Sequence, residues 1–387
     1  MDTDPSLYFG LSRREFLQLL AGAGCALALG SCGRAQSTET LLAASSPTPA
    51  RAGHPARFWR DAGAGVVECQ LCPRGCTINA NSVGFCRARR NAGGKLTSLV
   101  YGQPVTVNND PIEKKPFNHV LPGTTAFSLA CVGCNLTCRH CQNWEISQAS
   151  PGDLPAMNWS PSDVVRRAKD SGASTIAFTY NEPTVWSEFV LDTALAGKAQ
   201  GMRTVLISNG YIQEQPQREL ARALLAYKVD LKGFSERFYR DICDAHLQPV
   251  LDGMLRIKQE KTWLEIVTLI IPTLNDDPQE LKQLAVWVRD NLGPDVPLHF
   301  TRFMPLYRLR NLPRTPVPTL ETARQIALDA GLHFVYVGNV PGHPGENTYC
   351  PKCRTTLIQR YGISSTILAL QNGKCAKCGQ VIPGIWA

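Results

Sequence analysis

The sequence lacks two kinds of run, and each absence excludes a class of protein. The net charge of +8 on 387 residues is not concentrated in one block, whereas nucleic-acid binding favours a dense basic stripe with interleaved aromatics. We interpret the densest local arginine cluster as a solvated loop rather than an anion site; it consists of Arg302, Arg308, Arg310 and Arg314. The apolar run at 16–29 is shorter than the ~20 residues that a transmembrane helix needs. With 44% hydrophobic and 19% charged residues, the chain is globular.

The N-terminal residues predict a targeting segment. Ser-Arg-Arg-Glu-Phe-Leu at 12–17 matches a twin-arginine export motif, and Leu-Gly-Ser-Cys at 29–32 is typical of a lipoprotein cleavage box with Cys32 as the lipidated residue. We therefore exclude residues 1–32 from the fold. We predict a cell-envelope location whose membrane contact is this signal and lipid anchor. The alternative is an uncleaved amphipathic tail and a cytoplasmic protein. Residues 33–56 are small, polar and proline-rich, which predicts a flexible tether.

Strands and helices alternate from about residue 124, which predicts a parallel α/β sheet. Ser160, Pro161 and Asp163 form a helix start signal. Six strand–helix units are fewer than the eight of a closed barrel. The predicted strands cover 124–130, 174–180, 203–208, 227–231, 263–271, 297–303 and 333–338, and the predicted helices cover 161–171, 184–200, 214–226, 235–258 in pieces, 277–292 and 318–331.

A cysteine-containing module is predicted on each side of this core. Residues 57–123 contain four cysteines with many glycines and prolines, and residues 339–387 lose the strand–helix rhythm around two cysteine pairs. The core is accordingly assigned to 124–338. Two of the 15 cysteines, Cys25 and Cys32, belong to the signal. The tight grouping of the others favours metal binding over disulfides. Cys131 and Cys243 stand outside the groups, and we expect inert buried thiols there.

Cys134, Cys138 and Cys141 have the spacing Cys-x3-Cys-x2-Cys. Three thiolates can hold three irons of a [4Fe-4S] cluster, which leaves the fourth iron open to a small molecule. A zinc knuckle or a disulfide cluster is the alternative, and Cys131 is the available fourth zinc ligand. The spacing favours the cluster.

The sequence resembles the radical S-adenosylmethionine (radical SAM) superfamily, and within it the AmmeMemoRadiSam-system radical SAM enzymes, which are relatives of pyruvate formate-lyase-activating enzymes. The match runs from about residue 60 to the end. Seven segments carry it: NDPIEKKPFNHVLPG (109–123), CNLTCRHCQNWEIS (134–147), FTYNEPTVW (178–186), SNGY (208–211), VDLKGF (229–234), HFTRFMP (299–305) and VGNVPGHPGENTYCPKC (337–353).

This resemblance implies an open, partial (β/α)6 barrel and two cofactors, a [4Fe-4S] cluster and S-adenosylmethionine (SAM). The unique iron is expected to chelate the amino and carboxylate groups of SAM. An electron from a low-potential donor of the flavodoxin or ferredoxin type would split the sulfonium C–S bond. The 5′-deoxyadenosyl radical would then take a hydrogen atom from the substrate. The protein would orient the cofactor and exclude water.

The resemblance also suggests SAM contacts. The superfamily places Gly-Gly-Glu where this chain has Tyr180-Asn181-Glu182, and Glu182 would receive the SAM amino group; its alternative role is a helix N-terminal acid. Asn209 and Asp230 follow later strands and are expected to touch the ribose or carboxylate, with turn chemistry as the alternative. His140 is expected to stack on the adenine, or else is a loop residue.

Two further cysteine sets predict metal sites. The set Cys69, Cys72, Cys76 and Cys86 suits zinc or an auxiliary [4Fe-4S] cluster, with disulfides as a weaker option. The second set predicts a ribbon with a closed structural zinc site, or a rubredoxin-like iron with an electron-relay role; it consists of Cys350, Cys353, Cys375 and Cys378.

The whole sequence therefore predicts an envelope-tethered radical SAM enzyme. No motif encodes its substrate, which is either a protein or peptide, or a small molecule. Activation of a glycyl-radical enzyme is the alternative within the enzyme class. A multi-centre iron–sulfur electron-transfer protein and a structural zinc protein are the alternatives of other classes.

Overall fold

The computed structural model describes residues 53–387. The predicted signal and most of the predicted tether lie outside the described residues, as do Cys25 and Cys32. The first described strands form two small antiparallel sheets, with the orders β1-β6-β5 and β2-β3-β4. Their bounds are β1 His54–Pro55, β2 Trp59–Gly63, β3 Val66–Cys69, β4 Thr77–Ile78, β5 Arg89–Ala92 and β6 Lys95–Ser98.

An eight-stranded sheet follows, with its strands in consecutive order from β7 to β14. Strands β8 to β14 are parallel and correspond to the seven predicted strands, which confirms the predicted α/β class. Strand β7 pairs antiparallel with β8 and was not predicted. Their bounds are β7 Thr106–Pro111, β8 Thr125–Ala130, β9 Thr175–Phe178, β10 Arg203–Ser208, β11 Ala226–Asp230, β12 Trp263–Ile270, β13 Leu298–Arg302 and β14 Val335–Gly338.

Helices cross over between the parallel strands, and each of the six predicted helical stretches contains one. The start signal of α2 forms a capping box, since Ser160 Oγ accepts from Asp163 N at 3.1 Å and Asp163 Oδ2 accepts from Ser160 N at 3.0 Å. The helices are α1 Trp144–Ser147, α2 Pro161–Asp170, α3 Ser187–Ala199, α4 Glu214–Ala223, α5 Glu236–Phe238, α6 Gln248–Gln259, α7 Pro278–Leu292 and α8 Val317–Asp329, with a π-helical turn at Tyr239–Cys243 and 3₁₀ turns at Ile112–Lys114, Pro183–Trp186 and Pro344–Glu346.

The C-terminal residues form a three-stranded and a two-stranded sheet. Their strands are β15 Thr348–Tyr349, β16 Thr356–Tyr361, β17 Ser364–Ile367, β18 Leu370–Gln371 and β19 Lys374–Cys375. Residue Ile385 returns to the amino-terminal side of the central sheet, where its carbonyl accepts from Leu121 N at 2.7 Å and its N–H donates to the His119 carbonyl at 2.7 Å. No helix within residues 53–387 is long and apolar enough to cross a membrane.

A buried polar network joins this C-terminal region to the central sheet. Glu265 on β12 is fully buried and accepts from the backbone of His119 at 2.8 Å and from His299 Nε2 at 2.8 Å. The His119 ring lies between Pro383 O, 2.6 Å from Nδ1, and Tyr336 Oη, 2.6 Å from Nε2. A carbonyl only accepts, so Nδ1 carries a proton, and burial, which lowers the pKa of His119, keeps the ring neutral.

We predict that His119 makes stability fall with acid. Burial lowers the pKa of His119 to about 4, against about 6.5 in an unfolded chain. Below pH 6.5 the unfolded chain therefore binds a proton that the folded chain excludes, and stability is lost as the pH falls towards 4. Over this window, the free energy of unfolding of His119→Gln should fall less steeply with acid than that of the parent chain, by up to ~1.4 kcal/mol per pH unit. Urea unfolding of both proteins at equal metal content measures the two slopes.

The buried change Val250→Ala is the matched control, because it removes packing without removing a titratable group. It should lower the free energy of unfolding at every pH and keep the parent pH slope. Equal slopes for His119→Gln and the parent chain would contradict the assignment of a neutral ring.

Candidate cluster and cofactor site

Cys134, Cys138 and Cys141 lie in the loop that follows the carboxyl end of β8. Ligands bind beyond the carboxyl ends of the strands in parallel sheets. Cys138 is buried, and the other two are half-buried. Asn181, at the end of the neighbouring β9, holds this loop, because its Nδ2 donates to the carbonyl of Gly133 at 2.9 Å. The sheet thus presents the three thiols together at one edge.

The three sulfurs share one electrostatic neighbourhood. Burial raises the pKa of Cys134, and the charges of Glu182 and Cys138 raise it further. Burial also raises the pKa of Cys141, and Cys138 adds to that shift. One zinc ion with 2.3 Å bonds to thiolates needs sulfurs ~3.8 Å apart. Within residues 53–387, these cysteines and Cys131 do not form a set with all ligand atoms inside 4.8 Å of one another.

Cys243 lies beside this loop, which its expected role as an isolated inert thiol did not anticipate. It ends the π-helical turn after β11 and is fully buried. Its sulfur, the sulfur of Cys138 and a ring nitrogen of His140 all lie within 4.8 Å of one another. A hydrogen bond with Cys243 lowers the pKa of Cys138. Only the fold brings residues 138 and 243 together, so the sequence carries no signal for this contact.

Glu182 is an internal cap in this structure. Its side chain is buried, and Oε1 accepts from Thr184 N at 2.9 Å and from Ser208 Oγ at 2.7 Å. Oε2 accepts from Asn209 N at 2.7 Å. Burial raises its pKa, which these hydrogen bonds partly offset. These contacts match the alternative role of Glu182 as an acid at a helix N-terminus. Its contact with the SAM amino group stays a prediction.

Asn209 and Asp230 also have partners within the chain. Asn209 Nδ2 donates to Asn135 Oδ1 at 2.8 Å, and its Oδ1 accepts from Tyr211 N at 2.8 Å. Asp230 forms ion pairs with Lys228 and, at 2.9 Å, with Lys232. Burial opposes its ionisation, but both lysines hold its pKa well below the usual range. These residues are fixed in place at the strand ends, and their contacts with SAM remain predicted.

Two buried polar atoms near the cysteine loop have no hydrogen-bond partner within the described chain. They are His140 Nδ1 and Asn181 Oδ1. Burial lowers the pKa of His140 to about 3, so the ring is neutral. A buried polar atom without a partner is costly, and a bound polar ligand would supply one. The sequence predicted His140 as a site residue. It did not predict a site role for Asn181, which stands where the Gly-Gly-Glu motif has its second glycine.

Tyr180 stands where the Gly-Gly-Glu motif of the resembled superfamily has its first glycine. Its backbone conformation is one that glycine adopts more easily than other residues. Its φ is +71°, in the left-handed region that costs a residue with a side chain about 1–2 kcal/mol. Its hydroxyl donates to Asp110, which also accepts from Lys115 Nζ at 2.6 Å. Lys115 Nζ lies 4.2 Å from the Tyr180 ring centroid. The resulting cluster fixes the tyrosine at the edge of the sheet.

The family model that describes the radical SAM superfamily matches residues 129–285, the segment that contains the cysteine loop, Glu182, Asn209 and Asp230. An uncharacterized protein of Methanocaldococcus jannaschii is 43% identical over 329 residues, which cover 84% of this chain and 98% of that protein. The chain belongs to the radical SAM superfamily. It is therefore an enzyme of the radical SAM type.

Other relatives match less of the chain. Pyruvate formate-lyase 1-activating enzyme of Escherichia coli K12 is 23% identical over 164 residues, or 41% of this chain and 66% of that enzyme. A domain of the pyruvate-formate lyase-activating enzyme from Bacteroides vulgatus has a TM-score of 0.39 at 18% identity and covers 43% of this chain and all of that domain. A radical SAM methyltransferase from Sphaerobacter thermophilus has a TM-score of 0.44 at 16% identity, covering 58% and 70%.

The C-terminal cysteines of this radical SAM protein have single-ion geometry. All four sulfurs lie within 4.8 Å of one another, and the distances Cys350–Cys378 and Cys353–Cys375 are both 3.6 Å between sulfurs. A tetrahedral thiolate site with 2.3 Å bonds needs ~3.8 Å. Hydrogen bonds with Thr355 lower the pKa of Cys353 to about 6, which favours the thiolate that a metal binds.

The N-terminal cysteines line one cavity instead. Strand β3 ends at Cys69, β4 begins after Cys76, and a turn from Gly75 N to Cys72 O at 3.1 Å lies between. Cys86 completes the wall. Burial raises the pKa of Cys72 to about 12 and of Cys86 to about 11, so both are protonated thiols without a metal. Within residues 53–387, the four sulfurs of this set do not all lie within 4.8 Å of one another.

We predict that Gly133→Ala disrupts the loop that contains Cys134, Cys138 and Cys141. Gly133 has φ +92°, and an added Cβ would lie 2.5 Å from the carbonyl oxygen of Cys86, well inside any real contact. Both the backbone strain and the clash should therefore lower the thermal midpoint and the iron content after anaerobic reconstitution. Gly152→Ala is the matched control, because Gly152 has φ +99° with nothing within 4 Å. Equal losses in both variants would refute the close packing.

Proposed function

We propose that this radical SAM enzyme uses a [4Fe-4S] cluster at Cys134, Cys138 and Cys141 to cleave SAM reductively, and then takes a hydrogen atom from a substrate. The observation that carries the proposal is the grouping of the three thiols in one loop beyond the carboxyl end of β8, where Cys138 acts electrostatically on both Cys134 and Cys141. The sulfur of Cys131 accepts from Asn181 Nδ2 at 3.4 Å, the atom that also donates to the Gly133 carbonyl.

The residues present fit a cluster and a polar cofactor. When bound, the cluster would supply an open iron and a single electron for SAM. The chain itself supplies Asn181 Oδ1 and His140 Nδ1, two of the buried atoms that have no polar partner within the described residues. Lys232, whose pKa is raised because Asp230 outweighs the effect of burial, adds a fixed positive charge beside Cys138. Together these groups hold, orient and desolvate the reacting centre.

Activation of a glycyl-radical enzyme is the second candidate. It is supported by the likeness to pyruvate formate-lyase 1-activating enzyme. The substrate would then be a glycine Cα–H on a partner protein. The electron donor in either case would be a low-potential protein of the flavodoxin or ferredoxin type.

SAM cleavage tests the proposal directly. The full chain, reconstituted anaerobically and given SAM and dithionite, should form 5′-deoxyadenosine. Cys138→Ala removes one cluster ligand and should reduce product to background. Cys131→Ala removes a neighbouring buried thiol and should retain cleavage. If a chain shown to carry four irons at this loop forms no 5′-deoxyadenosine, the electron-transfer alternative replaces the enzyme.

We further propose that the C-terminal set holds one structural zinc ion. Cys353→Ser should then abolish zinc binding at this site and lower the thermal midpoint, because a structural zinc site contributes folding free energy directly. Elemental analysis measures the metal, and Cys131→Ser serves as the control. Iron in place of zinc at this set would instead support the rubredoxin-like alternative.

A further inference from the structure

The four cysteines of the N-terminal module lie around one shared space. Cys69, Cys72, Cys76 and Cys86 line a single cavity. Cys69 and Cys72 are buried, and Cys76 and Cys86 are half-buried. Four thiolates on one zinc ion would lie ~3.8 Å apart.

The two four-cysteine sets of this chain provide an internal comparison. The C-terminal set has sulfurs 3.6 Å apart, whereas the sulfurs of the N-terminal set, within the described residues, do not all lie within 4.8 Å of one another. A four-iron cluster spreads its thiolates around a larger core than one ion does. The N-terminal set is compatible with that larger core.

A buried arginine lies in the cavity wall. Arg89 is 1% exposed and forms a buried ion pair with Glu188. Its Nη1 donates to Arg57 O at 2.9 Å, but its Nε has no partner within the described chain. A cluster with a 2+ core and four thiolates carries two net negative charges. A buried guanidinium with a free N–H is therefore a matching donor for the sulfur atoms of a cluster.

The wall of this cavity is formed in part by the loop that contains Cys134, Cys138 and Cys141, called the SAM-cluster loop below. Gly133 lies so close to the Cys86 carbonyl that a Cβ would be 2.5 Å from it. Asn135, the residue after Cys134, lines the cavity, and so does Thr184 from the turn that Glu182 caps. Arg74, another wall residue, donates from Nε to the Asn135 carbonyl at 2.5 Å. The loop of Cys134, Cys138 and Cys141 therefore packs directly against the wall of this cavity.

We propose that Cys69, Cys72, Cys76 and Cys86 bind a second [4Fe-4S] cluster, closed by four thiolates, which passes single electrons to the cluster at Cys134, Cys138 and Cys141. The half-buried Cys76 gives this second site its solvent side, where an external donor would dock. The relay rests on the proposed SAM cleavage, whereas the metal assignment does not.

The electron balance is simple. A low-potential one-electron donor, such as reduced flavodoxin, is oxidised by one electron and reduces the second cluster from its 2+ to its 1+ state. That cluster returns to 2+ when it reduces the SAM-site cluster by the same electron. Each SAM cleaved consumes one electron from the donor, and the second site undergoes no net change.

Metal counting tests the assignment without any turnover. The full chain, reconstituted anaerobically, should contain about eight irons and eight sulfides, as two [4Fe-4S] clusters require. The triple variant C134A/C138A/C141A should retain about four of each and show the cluster's electron paramagnetic resonance signal after reduction. A triple variant with two zinc ions and no iron would overturn the assignment. The Cys131→Ala variant controls for loss of a buried thiol and should retain eight irons.

The rate ratio between two reductants tests the relay. In Cys76→Ala, about four irons should remain, and the ratio of flavodoxin-driven to dithionite-driven SAM cleavage should fall sharply, because dithionite is small enough to reduce the SAM site directly. Retained zinc at the C-terminal set confirms that the variant is folded. An unchanged ratio in a variant that has lost four irons would overturn the relay. Eight irons without any SAM cleavage would uphold the second cluster and refute the proposed function.

Discussion

A chain of amide and carboxylate hydrogen bonds at the carboxyl edge of the sheet is the constraint on which the site depends. Glu182 accepts from the backbone of Asn209, and Asn209 donates to the side chain of Asn135, which follows Cys134. Asn135 in turn donates to Tyr211 O at 2.7 Å. Because these groups are buried, each lost partner would leave a desolvated polar atom. The network therefore fixes the cysteine loop against the ends of β9 and β10.

The same network connects the two cysteine-rich regions of the first half of the chain. Asn135 belongs to the SAM-cluster loop and also lines the N-terminal cavity. Gly133 supplies the close backbone contact with Cys86 that a larger residue would prevent. The N-terminal module is thus packed directly against the loop of Cys134, Cys138 and Cys141. The proposed electron relay depends on this packing, whereas the C-terminal set packs with Tyr336 of the last parallel strand.

The alternation of strands and helices made the core predictable. The parallel strands are buried runs separated by helical stretches, and the helix that begins after Ser160 has a complete start signal. Strand β7 was missed because its sequence, TVNNDP, has asparagines, an aspartate and a proline, residues that are depleted in strands. Only pairing with β8 makes it a strand. It lies within 57–123, so the central sheet draws on residues that the sequence assigned to the N-terminal module.

Cysteine spacing predicted the three groups, but it could not predict distances between groups. Cys243 contacts Cys138 through the fold alone, and Glu182 was recognised by its motif without any sign of its internal partners. The glycine-to-tyrosine change at Tyr180 was visible, yet only its φ shows why glycine is favoured there. Local signals therefore identify the elements and the donor types. Tertiary contacts decide which donors remain free for a ligand.

The pairing of Ile385 with residues 119–121 has a consequence for the order of assembly. His119 and Leu121 exchange their backbone hydrogen bonds with a residue more than 260 positions later, and Val120 bridges to it. During synthesis, this segment remains without those partners until the ribosome has released residue 385. The amino-terminal end of the sheet is therefore among the last parts to close, after the N-terminal cysteines and the SAM-site loop have emerged. Both cysteine sets that are proposed to bind clusters are therefore complete in the growing chain before the other end of the sheet can pair.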